Sequence, residues 1–318
     1  MDARRITSIL AQPTARGLLG LLLLLAVGAT FAPGTISLSA WVAMMRFIAI
    51  LGFAAIGQHL VIQQKGFNLS VAGVMSVAFV IVTALPRGSG DLSVVLWVAV
   101  ALLAGIVAGT MAGLAVTVLH TSPIVATIGV NALLLGAALR LSHGGATSAP
   151  PSLIEFSYSR VGGMPTIFLI LIGVTAATTL VLSRTTIGRR FVAAGTNAPA
   201  AHILAVRVGL YRTVTYALAG LFFAIAGIML AGVLNTITVF AGNPYILTTV
   251  AAFVVGGNTF GGDTRSSVVA TIVGAIFLTY LDQVLVSLSI PQSAQSIIQA
   301  GIVFAGVALP EFAQRRRG

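Results

Sequence analysis

The chain has 318 residues and a mass of 32.5 kDa, with 58% hydrophobic residues, 7% charged residues and a mean hydropathy of +1.06. A soluble globular domain carries about 25% charged residues, so this composition excludes one and indicates a polytopic membrane protein. The formal net charge of +11 comes from basic residues scattered among apolar segments, which indicates membrane topology and not a nucleic-acid partner. The absence of cysteine excludes disulfides, thiolate metal sites and cysteine catalysis.

Long apolar runs predict about ten transmembrane helices, of which the third and the eighth are short. Helices are favoured over barrel strands because Leu18 to Val27 is almost unbroken aliphatic sequence, without alternating polarity. We therefore expect an all-α polytopic fold with Gly-rich breaks, in a single transmembrane domain over residues 1–318. The runs are 17–33, 41–62, 71–85, 94–119, 123–141, 166–183, 211–234, 245–256, 265–286 and 293–309.

The basic residues predict the orientation of the chain in the membrane. With both termini in the cytoplasm, 13 of the 17 Lys and Arg residues fall in cytoplasmic segments, as the positive-inside rule requires. Arg4 and Arg5 before an apolar run also resemble a signal peptide, but Ala29-Thr30-Phe31 lacks the second small residue of a cleavage site, so we expect an uncleaved first span. The expected location is a membrane, in contact with its lipid.

Two Gly-containing stretches break the apolar pattern at what looks like membrane depth, over residues 57–76 and 255–267. Irregular backbone at that depth is tolerated only against protein or a water-filled cavity, so paired breaks indicate a translocation path; tight turns are the simpler alternative.

A hydrophilic loop over residues 184–212 is too long for a turn, and within it Asn197 or Thr196 ahead of Pro199 predicts the start of a short helix. Such a helix can rest on lipid or fit a groove on a partner.

Small residues at helical spacing predict close helix packing. Gly105 and Gly109 have GxxxG spacing in the fourth run, and Gly220 and Gly227 lie in the seventh. We expect packing within the chain, with a subunit interface as the alternative.

The sequence contains no constellation typical of an enzyme. The four histidines have no metal-ligand spacing, no G-x-S-x-G motif occurs, and the sole lysine, Lys65, precedes Gly66 and not the Ser or Thr of a Walker A motif. No catalytic residue, metal or cofactor is therefore predicted.

No acid is expected at mid-bilayer, which argues against proton-driven transport. Arg46, near a predicted helix end, is expected to reach the interface, with a role in the path as the alternative.

Three passages make the chain resemble the permease subunits of bacterial ABC importers of the ribose type, a family that also includes xylose, galactoside and autoinducer-2 systems. Residues 55–70 are similar to the family pattern AxGxxxVI..GGIDLSVG, residues 195–201 to GxNxxAA, and residues 255–262 to GGTSLxGGxG. There are departures, since the family's Gly-Gly is Lys65-Gly66 here, its Asp is Asn68, and its SGI element is Leu204-Ala205-Val206. Such departures suit one half of a heterodimeric permease or an unusual solute.

The resemblance implies a division of labour. A periplasmic or lipid-anchored solute-binding protein would deliver the solute, two permease subunits would form the path, and a cytoplasmic ABC ATPase would drive alternating access. The loop would then carry the coupling helix over residues 195–209. The residues expected to couple to the ATPase are Gly195, Asn197, Ala200, Ala201 and Gly209. The residues expected to form the path or gate are Gly57, Gly66, Asn68, Ser70, Gly256, Gly257 and Asn258.

Several other functions stay open on sequence grounds. Nucleoside and branched-chain amino acid permeases share the architecture, and a sugar or related neutral polar solute is favoured because of the near match to GGIDLS. A secondary transporter acting alone would take up solute independently of ATP. A membrane scaffold would use the loop only as an interaction site.

Overall fold

The computed structural model describes residues 12–84, 91–142, 148–234, 239–261, 264, 266–291, 293–295, 297–302 and 304. The helices that lie wholly in these residues are α1 Pro13–Phe31, α2 Leu38–Gln63, α3 Val71–Ala84, α4 Asp91–Thr117, α5 Pro123–Ser142, α6 Pro151–Tyr158, α7 Thr166–Arg184, α8 Thr186–Thr196, α9 Ala198–Ile203, α10 Val208–Leu234, α11 Tyr245–Val255 and α12 Val268–Ser287. Residues 293–295, 297–302 and 304 are also helical. A 3₁₀ turn covers Pro33–Ile36, and strands β1 Arg160–Val161 and β2 Met164–Pro165 form one antiparallel hairpin.

The predicted all-α membrane fold is confirmed. Seven of the described helices are long and apolar enough to cross a membrane, namely α1, α2, α4, α5, α7, α10 and α12. The other two predicted runs in this part of the chain are the short helices α3 and α11, as the sequence indicated. The tenth run falls partly outside the described residues, so the count of about ten stays a prediction.

Helices α2 and α10 form the centre of the bundle. Helix α10 packs on α4, α2 and α3, while α2 also contacts α12, α11 and α7. From Ile48 to Gln63 every residue of α2 is buried, which requires neighbours on all of its sides. The outer helices α1, α4, α5 and α7 instead expose many apolar side chains, as expected of a surface that faces lipid.

Glycines bring α4 and α10 into backbone contact. A Cβ atom on Gly105 would lie 2.5 Å from the Gly220 carbonyl oxygen, and one on Gly109 would lie 2.1 Å from that of Tyr216. A Cβ on Gly227 would likewise meet the Met75 carbonyl oxygen of α3, at 2.4 Å. Close approach of helices needs small residues at such points. These glycines therefore serve packing within the chain, as the sequence predicted.

The first break is shorter than predicted. Residues 57–63 continue α2 and residues 71–76 begin α3, so only residues 64–70 lie outside helices. Gly57 sits in α2 against α10, where a Cβ would approach the Phe223 ring to 2.9 Å. A further non-helical segment, 239–244, falls in the gap between the predicted runs 211–234 and 245–256. It packs on α3, since Gly242 N donates to Ser76 Oγ over 3.3 Å.

Arg46 is buried against α6. The residue is 9% exposed, and its guanidinium carbon lies 4.3 Å from the centre of the Tyr158 ring at the end of α6. A guanidinium over an aromatic face makes a favourable cation–π contact. The Tyr158 hydroxyl in turn donates to the Val233 carbonyl, which fixes α6 across the end of α10.

Candidate coupling segment and translocation path

The hydrophilic loop folds into two short helices, α8 and α9. Thr185 caps α8 by accepting from Gly188 N over 3.0 Å, and Asn197 caps α9 by accepting from Ala200 N over 3.1 Å. Pro199 stands in the first turn of α9, where a missing N–H costs nothing. A short helix capped by Asn197 is thus present, but it covers Ala198–Ile203 and not the predicted 195–209, because residues 195–196 belong to α8 and residues 208–209 to α10. The separate helix α8 was not predicted.

The segment has its own small core and an exposed apolar tip. Ala194, Ala201 and Val206 are buried together, which holds α8 and α9 against the start of α10. Ile203 and Leu204 at the end of α9 are 84% and 74% exposed. Two adjacent large apolar side chains at the tip of a polar loop are typical of a protein contact surface. We call residues 186–206 the coupling segment.

The coupling segment is tied to the end of α2. Gln64 Nε2 donates to the Phe191 carbonyl over 2.7 Å, and Lys65 Nζ donates to the Thr196 carbonyl over 2.8 Å. A Cβ on Gly195 would lie 2.1 Å from the Gln63 carbonyl oxygen, so glycine allows this contact. Of the predicted coupling residues, Gly195 is buried against the end of α2 and Ala201 is buried in the small core of the segment. Ala200 is exposed, and a Cβ on Gly209 would have no neighbour within 4 Å.

The first break is built around Asn68. Its Oδ1 accepts from Ser70 N over 3.0 Å and from Ser70 Oγ over 2.6 Å, an Asx turn that starts α3. Both residues are buried. Leu69 N donates to Thr127 Oγ1 of α5, and a Cβ on Gly66 would lie 2.5 Å from the Tyr216 hydroxyl. The break therefore runs inside the protein, where irregular backbone in a membrane can be satisfied.

Two departures from the family pattern fall on strained backbone. Lys65 has φ +60° and Ala205 has φ +57°, in the left-handed region that favours glycine. Residue 65 stands in the position of a family glycine, and residue 205 in that of the glycine of SGI. The backbone at both positions therefore has the left-handed conformation typical of glycine, although each residue carries a Cβ atom.

The second break is held by Asn258. Its Nδ2 donates to the Phe253 and Ser267 carbonyls and to Thr271 Oγ1, and its Oδ1 accepts from Ser267 N over 2.7 Å. Gly257 has φ +95°, and a Cβ on Gly256 would lie 2.0 Å from the Ala270 carbonyl oxygen. These contacts join the end of α11 to the start of α12. Residues 262, 263 and 265 of the predicted break lie outside the described residues.

Aromatic and polar contacts link the two breaks. The Phe67 and Phe260 rings lie 5.5 Å apart between centroids, and Phe260 is 5.7 Å from Phe253. His59 of α2 lies 5.3 Å from Phe253, and its Nδ1 is 2.7 Å from Thr271 Oγ1. The predicted path residues Asn68 and Asn258 thus belong to two turns in contact with each other. Sequence reasoning missed His59, Gln64 and Thr271, although polar residues at 58–59 and 63–64 of an apolar helix were the available signal.

The described residues contain no group of three or more metal-ligating side chains. The described helices form a bundle with buried breaks and an attached polar segment, which is the architecture of a multi-pass membrane protein.

The comparisons with known proteins identify the kind of transporter. Residues 40–307 match the family of branched-chain amino acid transport system permease components. The chain is also 34% identical over 279 residues to the autoinducer 2 import system permease protein LsrC of Yersinia pestis (strain Pestoides F) and of Yersinia pseudotuberculosis (serotype O:3, strain YPIII), covering 85% of this chain and 76% of each relative. No solved structure matches the chain.

The chain belongs to this family of ABC importer permeases, and the resemblance predicted from the sequence is confirmed. It is a multi-pass transport subunit and is not itself an enzyme. Permeases of this family act with an ATPase and a solute-binding protein, so both are partners of the chain.

Proposed function

We propose that this chain forms one half of the membrane path of an ATP-driven importer for a sugar or a related neutral polar solute. Its relatives are import permeases for autoinducer 2, and this supports a small polar solute. The family description names branched-chain amino acids, which makes them the second candidate class. The expected site is the bacterial inner membrane with both termini in the cytoplasm, and a second permease subunit, identical or not, would complete the path.

The observation that carries the proposal is the link from the coupling segment to both breaks. A partner ATPase can change the permease only through contacts that differ between its states. The apolar tip at Ile203 and Leu204 would enter a groove on that ATPase. Movement of the segment would reach Gln64 and Lys65 directly, through their bonds to Phe191 and Thr196. From there it would pass to the second break through Phe67 and Phe260.

Under this proposal the predicted residues take different roles. Gly195, Asn197 and Ala201 shape the coupling segment, and Ala200 and Gly209 lie on its outer side. Gly66, Asn68 and Ser70 form the first gate turn, and Gly256, Gly257 and Asn258 form the second. Gly57 lets α2 approach α10 beside the path.

The tip can be tested by co-purification of the ATPase with the permease. Ile203→Asp places a charge in the proposed contact, and we expect it to abolish co-purification and ATP-dependent uptake while membrane insertion persists. Leu38→Asp is the matched control, because Leu38 is 81% exposed at the first turn of α2, far from the coupling segment in the chain. Normal ATPase binding by Ile203→Asp, or uptake by the wild-type chain alone in liposomes without ATP, would contradict the proposal.

A further inference from the structure

Several buried polar atoms near the end of α2 have no hydrogen-bond partner in the part of the chain that the structure describes. They include both amide atoms of Gln58, Oε1 of Gln64 and Nδ2 of Asn68. Gln58 is 0% exposed, and Asn68 is 1% exposed. A buried polar group left unpaired is costly, and native proteins contain few of them. Other such atoms lie singly elsewhere, on Arg46, Ser157, Thr179 and Arg212, whereas here residues close in the chain carry them together, which indicates a ligand-binding function.

The position of Gln58 on α2 follows from helix periodicity. Residues three before and four after it, Ala55 and Ile62, lie on the same side of the helix. Ala55 packs with Ala251 and Ala252 of α11, and Ile62 packs with Phe253. Gln58 therefore lies on the side of α2 that faces α11. The His59 ring, next along the helix, contacts Phe253 and Thr271. The unpaired atoms thus lie beside the aromatic contacts that join the two breaks.

The chemistry of these side chains selects a class of solute. An amide offers both donors and an acceptor, and Asn68 Nδ2 is a donor. A hydroxyl group both donates and accepts, so it matches each of them. The cluster contains no carboxylate, ammonium or guanidinium group, and a charged solute would be left there without a counter-charge, which is unfavourable in a buried site. The phenylalanine rings offer apolar surface for the carbon skeleton.

We propose that Gln58, together with Asn68, binds the hydroxyl groups of a neutral solute as it passes between the two breaks. The assignment rests on the proposed function and deepens it, because it names the residues that contact the solute and the solute's chemical class. Gln58 is the central member, because neither its Oε1 nor its Nε2 has a hydrogen-bond partner among the described residues.

The test uses the complete importer, with ATPase, solute-binding protein and the second permease subunit, in liposomes. Uptake of D-ribose, D-xylose, 2-deoxy-D-ribose and L-leucine is measured with the binding protein saturated by each compound in turn, so that its own affinity does not enter. Gln58→Leu keeps the volume and removes the amide, and Gln58→Asn keeps the amide. Thr175→Val is the matched control, because Thr175 is also buried in an apolar helix but its hydroxyl is bonded to the Leu171 carbonyl.

We expect Gln58→Leu to lower uptake of the preferred sugar by about 3- to 10-fold, the effect of one or two lost hydrogen bonds. The variant should also reduce the discrimination between ribose and its deoxy analogue without lowering the melting temperature. Gln58→Asn should restore part of the uptake, and Thr175→Val should leave it unchanged.

The assignment would be overturned if Gln58→Leu imported the sugar at the wild-type rate and still discriminated between ribose and its deoxy analogue. It would also be overturned if the loss of uptake were matched by a lower melting temperature. Uptake of L-leucine and of none of the sugars would overturn the solute class. Uptake by the wild-type complex that does not need ATP would instead overturn the proposed function, so the two failures can be told apart.

Discussion

Gln64 donates a 2.7 Å hydrogen bond from its side-chain amide to the backbone carbonyl of Phe191, and this bond joins the end of α2 to the coupling segment. Both residues are buried, so water does not compete for the bond. Lys65 makes a second bond to the segment one residue later, but its side chain is exposed. The buried bond of Gln64 is therefore the stronger candidate for transmitting movement.

Replacing Gln64 by leucine should uncouple ATP hydrolysis from uptake. The variant loses a buried hydrogen bond worth about 0.5–1.5 kcal/mol and leaves the Phe191 carbonyl without this donor. We expect the number of solute molecules imported per ATP hydrolysed to fall several-fold, measured in liposomes with the complete importer. Ser183→Ala is the control, since Ser183 bonds only within α7. An unchanged ratio in Gln64→Leu would remove this bond from the coupling route.

Two glycines of the predicted coupling helix should respond oppositely to alanine. At Gly195 a Cβ would lie 2.1 Å from the Gln63 carbonyl oxygen, and backbone cannot yield cheaply, so Gly195→Ala should displace the segment and strongly reduce uptake. At Gly209, inside the first turn of α10, no atom lies within 4 Å of the added Cβ, and alanine favours the helix by up to about 1 kcal/mol. Transport assays and melting temperatures on both variants check this. Equal uptake by the two would contradict the packing argument.

The fold was predictable where hydropathy was the dominant signal in the sequence. Long apolar runs identified every long helix in the described residues, because burial of aliphatic side chains in lipid needs no knowledge of the neighbours. The sequence also predicted that α3 and α11 are short. The segment 239–244 lies between the predicted runs 211–234 and 245–256, but its packing on α3 was not predictable, since only the contact of Gly242 with Ser76 reveals its position.

The site was predictable only in part. Gly, Asn and Ser residues signalled the two breaks, and Asn197 ahead of Pro199 signalled the start of α9. The contacts between breaks depend on residues more than 190 positions apart, such as Phe67 and Phe260, and no local pattern encodes such a pairing. Gly57 shows the converse, since a glycine that looked like part of a break serves helix packing against Phe223.

Replacing Ala205 by glycine should stabilise the protein. Ala205 has φ +57°, a conformation that costs about 1–2 kcal/mol for a residue with a Cβ. Glycine removes this strain but has greater freedom in the unfolded chain, which offsets about 0.4–1 kcal/mol. The melting temperature in detergent should therefore rise slightly. Ala200→Gly is the control, because Ala200 is helical and exposed and the same change there should lower the melting temperature.

Asn68 tests whether the first break requires an acceptor or the amide as such. Asn68→Asp keeps an oxygen for the two bonds from Ser70 and places a negative charge at the start of α3, where the helix dipole favours it. The family has Asp at this position, so we expect the variant to fold with a melting temperature close to that of the original. Asn68→Leu removes the acceptor and leaves the buried Ser70 N–H and hydroxyl without it, at a cost of about 1–3 kcal/mol for each. Its melting temperature should fall clearly below that of Asn68→Asp, and equal stability of the two variants would show that the turn does not depend on this side chain.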